Sequence, residues 1–119
     1  MTAPLSDIEI AAEIRRISER LDWQVGEIAR RARHAAEAEV AHKLAYARQI
    51  LQVEGSTVAE RDARALIACA TTYAEHKGAD AVRLAAQEAG RSLRSQIDAL
   101  RTLAASQRAA LTNAEGIGR

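Results

Sequence analysis

Apolar positions in the first fifty residues advance in steps of three and four through Ile10, Ile14, Ile17, Leu21, Val25 and Ile28. That spacing gathers side chains on one face of an α-helix. From Ile28 the pattern moves by fours through Ala32, Ala36, Val40 and Leu44, then reaches Ala47 and Leu51. A second stretch opens with Ala59, Ala63, Leu66, Ala70 and Tyr73, and continues through Ala81, Ala85, Ala89, Leu93 and Ile97 to Leu100 and Ala104. Repeated steps of four give a mean period above 3.5, which predicts nearly straight helices that change contact partner along their length, not a strict coiled coil.

Each stretch begins with a capping box. Ser6 with Glu9, and Thr57 with Glu60, have the S/T-x-x-E spacing that satisfies the free amides of a helix start. Gly55 stands between the stretches, in a position suited to the residue just past a helix end. The reading is an all-α, long antiparallel helical hairpin forming one domain over residues 1–111. Helix 1 covers about 6–53, the turn 54–56 and helix 2 about 57–111, each helix roughly 70 Å long at 1.5 Å per residue. Residues 112–119, with Thr112, Asn113, Gly116 and Gly118, read as a frayed tail. Gly26, Gly78 and Gly90 fall inside helices. A three-helix arrangement with a break near Gly78 is the alternative, because the two halves of the second pattern point in different directions there.

Composition adds a packing argument. Hydrophobic residues make up 48% of the chain, yet aromatics are 3% and Phe is absent, so alanine dominates the apolar content. Alanine favours helix but buries little area. A thin hairpin of this kind is expected to recruit a second copy, a dimer forming a four-helix bundle. The one cysteine, Cys69, makes no internal disulfide and fits a reducing compartment. The first residues lack a signal-peptide pattern, and no run approaches the roughly 20 apolar residues of a membrane span. The expected location is cytoplasmic, with no membrane partner.

The formal net charge of +1 hides an asymmetry. Residues 1–27 carry three arginines against six acidic residues, and residues 83–119 six arginines against three. A hairpin would bring Glu19 near Arg91 and Arg94, and Asp7 and Glu9 near Arg101, fixing antiparallel register more than stability. Facing acids leave less potential for phosphates. The arginines that would still serve nucleic acid are Arg30, Arg31 and Arg33, beside His34, together with Arg91 and Arg94.

Trp23 falls almost opposite the first apolar seam, among Arg16, Glu19, Arg20, Glu27 and Arg30. Trp and Arg dominate binding hot spots, so Trp23, Arg16, Arg20, Glu27 and Arg30 are the candidate partner-binding residues. Glu39-Val-Ala-His42 has the Glu-x-x-His spacing of di-iron bundles, but neither His34 nor His76 supplies the second motif that such a site needs. No metal or other cofactor is expected, and a ferritin-like metal protein ranks third. Cys69 lies in the apolar run Leu66-Ile67-Ala68-Cys69-Ala70, and there is no phosphate loop, nucleophile elbow or CxxC. No catalytic residues are assigned, and the chain reads as a non-enzyme.

Two segments carry a resemblance: Ala45-Tyr46-Ala47-Arg48 leading into Val53-Glu54-Gly55-Ser56-Thr57-Val58-Ala59-Glu60-Arg61, and Leu93-Arg94-Ser95-Gln96-Ile97-Asp98-Ala99-Leu100-Arg101-Thr102-Leu103. The chain is similar there to small all-helical proteins of actinobacterial phages and prophages, often found near replication and recombination genes. The resemblance covers about the last two-thirds of the chain and implies a phage origin with an accessory role beside DNA transactions. Secreted WXG-type hairpins carry Trp-x-Gly in the turn, whereas Trp23-Gln24-Val25-Gly26 is one residue too long and lies within a helix. The leading expectation is a phage-type adaptor that self-associates and binds a partner protein through the Trp23 face. The alternative is an accessory nucleic-acid-binding protein.

Overall fold

A computed structural model describes residues 5–117. The described residues form three helices and no strand: α1 (Asp7–Ile50), α2 (Val58–Ala68) and α3 (Ala70–Ile117). Long α1 packs against long α3, as in a helical hairpin.

The helix starts are local chemistry. At α1 the Ser6 hydroxyl accepts from the Glu9 amide at 3.2 Å, while the Glu9 carboxylate accepts from the Ser6 amide at 3.4 Å, a reciprocal box. At α2 the Thr57 hydroxyl accepts from the Glu60 amide at 3.1 Å. The Glu60 carboxylate reaches one residue further back than expected, to the amide and hydroxyl of Ser56 at 3.1 and 2.9 Å. Arg64 then ties Glu60, at 2.8 Å, to the Glu54 carbonyl, at 2.7 Å.

The helix ends differ from the expected ones. Helix 1 stops at Ile50 instead of about residue 53, and the connection runs from Leu51 to Thr57. No described glycine has positive φ, so Gly55 does not act as a left-handed cap. What it supplies is smallness: an added Cβ would lie 3.0 Å from the Arg61 Cγ and 3.3 Å from the Arg61 amide nitrogen. Gly78 is not a break. It is helical within α3, with open space where a Cβ would be.

The interruption lies at Cys69, where φ is −111° and ψ 29°. Its thiol donates to the Ala65 carbonyl at 3.0 Å, and the Thr72 hydroxyl donates to the Cys69 carbonyl at 2.9 Å. Side chains that compete for helix carbonyls bend or interrupt a helix. Thr112 and Asn113, expected in a frayed tail, continue α3, as does Gly116; Gly118 and Arg119 lie outside the described residues.

The chain divides into two units, Met1–Gly26 with Glu88–Arg119, and Glu27–Gln87. Unit 1 has an aliphatic core. Ile17, Leu93 and Ile97 are buried together, with Ile14, Leu21 and Leu100 packed against them. Ile10 is 1% exposed. Fully burying a side chain of this size contributes about 1.5–3 kcal/mol. The seam here runs as the apolar pattern predicts, except that Gln24 is buried while Val25 is exposed, and Gly90 is buried while Ala89 is exposed.

Unit 2 overturns the expected seam. Ala36, Val40, Leu44 and Ala47 of α1 are exposed, as are Ala59, Ala63, Leu66, Ala70, Tyr73, Ala81 and Ala85 of α2 and α3. Covered instead are Ala35, Ala38, His42, Ala45 and Gln49 on α1, against Asp62, Ala65, Cys69, Thr72, His76, Ala79, Arg83 and Ala86. These positions step by alternating threes and fours, a strict seven-residue repeat that runs straight through the Cys69 interruption. Such a repeat is a coiled-coil seam, so the drifting contact stripe predicted from steps of four is corrected. In unit 1 the covered positions Ile10, Ile14, Ile17, Leu21 and Gln24 keep the same alternation, as do Gly90, Leu93, Ile97, Leu100, Ala104 and Gln107.

Candidate functional site

Unit 2 wears most of its large apolar side chains outward. Its buried hydrophobic residues are Ala35, Ala65, Cys69, Ala79 and Ala86, whereas Val40, Leu44, Val58, Leu66, Ile67, Tyr73, Val82 and Leu84 are exposed. On α1, Ala36, Val40, Leu44 and Ala47 fall within about 80° of one another at 100° per residue. They face away from the covered Ala35, Ala38, His42 and Ala45. A surface helix ordinarily has one apolar face, and this segment has two. Ala36, Glu37, Val40, Ala41 and Leu44 line a shallow groove along the outer one.

The inner face of unit 2 sets polar side chains among its alanines. His42 and His76 stack with ring centroids 5.9 Å apart and planes 13° from parallel. Tyr73 meets His42 edge-on at 5.5 Å. The His42 Nδ1 lies 3.2 Å from the Thr72 hydroxyl, while the His76 Nδ1 is buried with no hydrogen-bond partner. Nearby the Tyr46 hydroxyl donates to Asp62, and the resulting bond to the carboxylate pushes the Tyr46 phenol above its ordinary range. Glu39 does not join His42. Its carboxylate holds Lys43 at 3.0 Å, and that bond keeps it below the usual carboxylate range. Among the described residues no three of His, Cys, Asp and Glu are grouped so as to hold a metal ion.

The sequence-derived candidates fall in different units. In unit 1, Trp23 is 63% exposed, Arg20 is exposed, and Arg16 is paired with Glu13. In unit 2, Glu27 holds both Arg30, at 2.8 Å, and Arg31, at 2.6 Å. The Arg30 bond first, then that of Arg31, keeps the Glu27 carboxyl below its usual range. Arg33 and His34 are exposed, and His34 borders a groove with Arg31, Glu37, Glu75, Gly78 and Val82. Arg91 pairs with Glu88, and Arg94 is exposed. The expected pairing of Glu19 with Arg91 and Arg94, and of Asp7 and Glu9 with Arg101, is not formed. The ion pairs described join residues three or four apart on one helix.

Sequence reasoning overlooked the histidine pair. Its signal was present, since His42 and His76 both lie on the seven-residue repeat, but a repeat filled by Ala, His, Thr and Gln is outweighed by the Val and Leu stripe beside it. No helix among the described residues is long and apolar enough to cross a membrane. No protein-family model matches the chain, and neither curated proteins nor solved structures yield a match.

Proposed function

We propose that the chain is a non-enzymatic helical adaptor that associates with copies of itself and binds a partner protein. Its accessible surface carries this reading. The chain exposes 8769 Å², where a folded monomer of its 12.9 kDa exposes about 6,300 Å², leaving about 2,500 Å² in excess. Large aliphatic side chains on the outside of unit 2 are part of that surface, and exposed apolar patches of this kind mark interaction sites. Trp23, beside Arg20, is the candidate contact for the partner, in keeping with the weight of Trp and Arg in binding hot spots.

A phage-type accessory role in a bacterial cytoplasm is the biological setting that the resemblance suggests. Direct nucleic-acid binding draws less support, because Glu27 pairs with both Arg30 and Arg31 and offsets one of their two charges, and Glu88 pairs with Arg91. Light scattering on the eluting protein tests the reading. A mass that is a multiple of 12.9 kDa is expected at micromolar concentration, and a mass of one chain would refute self-association. Retention on DNA that weakens steeply with salt would favour the nucleic-acid reading instead.

A further inference from the structure

We infer that the outer stripe of α1 in unit 2 is a self-docking face, covered by the same stripe of a second copy running antiparallel; this rests on the self-association proposed above and assigns its surface. Three observations carry it. Unit 2 fully buries no Leu, Ile or Val, while Val40 and Leu44 are 56% and 51% exposed. The excess surface noted above, taken over the whole chain, is more than the roughly 600–1,000 Å² per partner that pairing with a second copy would cover.

The third observation is charge placement. Glu37 and Arg48 lie on the same flank of the stripe, within about 20° of each other at 100° per residue. Neither forms an ion pair among the described residues. A two-fold antiparallel pairing is self-complementary. It sets Val40 against Leu44 of the second copy, Ala36 against its Ala47, and Glu37 against its Arg48, twice over. On the other flank, Lys43 with its bound Glu39 meets the same pair of the second copy, so both edges are charge-balanced. Trp23 and the Leu66, Ile67 and Leu84 side chains lie outside this stripe.

The test is sedimentation of the full chain and its variants across concentration, with helicity followed by circular dichroism. Val40→Glu and Leu44→Glu are expected to give single-chain mass with helix content retained. Glu37→Arg and Arg48→Glu should each weaken association about tenfold at low salt, since each breaks two symmetric pairs and creates like-charge contacts. The double exchange should restore it. If Val40→Glu loses helicity, the exchange pair at exposed positions decides. An oligomeric wild type that ignores these changes, or that responds only to Ile67→Glu or Leu84→Glu, overturns this face and leaves self-association standing. A wild type that stays single until mixed with lipid vesicles or another protein overturns both.

Discussion

The His76 Nδ1 is the residue-scale oddity of this protein, a buried polar atom without a partner inside an alanine-lined seam. Leaving such a group unsatisfied costs about 1–3 kcal/mol, and replacing it by an apolar group of similar size removes that cost. His76→Leu is therefore expected to stabilise the chain by about 1 kcal/mol in denaturant titration; a loss of stability would show that the stacked imidazole contributes more than its orphaned nitrogen costs. Gly78 offers a second case. It is helical and its missing Cβ would meet nothing within 4 Å, so Gly78→Ala should add about 0.5–1 kcal/mol of stability. Gly55→Ala should not, because its Cβ would press on Arg61. Equal effects at the two glycines would contradict this reading.

Among elements, the helix starts were legible and the helix faces only half so. Capping is written in four consecutive residues, so Ser6, Thr57 and Glu60 could be read without knowing what the helix packs against. A seam is a relation between two helices. In unit 1 the strongly apolar Ile10, Ile17, Leu93 and Ile97 lie on the predicted seam and are buried, so pattern and packing agree there. In unit 2 the stronger stripe, Val40 and Leu44, faces outward, and the partner-facing positions hold His42, Thr72, His76 and Ala79. No single-helix argument could choose between the stripes. The same limit explains the ion pairs, which formed along helices, where spacing of three or four suffices, and not between Glu19 and Arg91 or Arg94.

Those intrahelical pairs predict a pH response. Glu13, bonded to Arg16, Glu27, bonded to Arg30 and Arg31, Glu39, bonded to Lys43, and Asp80, bonded to Arg83, all have carboxyl pKa values lowered by these bonds. A group whose folded pKa is depressed stabilises above the ordinary carboxylate range, and its contribution is lost as pH falls through the folded value. Helicity and melting temperature should therefore decline below about pH 4, modestly, because these pairs are on the surface and screened. Tyr46 acts in the opposite sense. Its pKa is raised by Asp62, so its contribution is complete below about pH 10 and is lost as pH climbs past the raised value. Tyr46→Phe should abolish that alkaline loss. A melting temperature flat from neutral to strongly acid pH would contradict the first prediction, and an unchanged alkaline limb in the variant the second.

At the scale of the whole molecule, unit 1 buries Ile10, Ile17, Leu93 and Ile97, the kind of core that stabilises a chain alone. Unit 2 buries alanines and Cys69 beside a half-buried histidine pair, and leaves Val40, Leu44, Leu66, Ile67 and Leu84 exposed. Its stability is then expected to depend on how many chains are present. Thermal unfolding followed over about two decades of protein concentration tests this most directly, because association that favours the folded state makes the midpoint concentration-dependent. A midpoint that rises steadily with concentration is expected. A single cooperative transition at the same temperature throughout would contradict it.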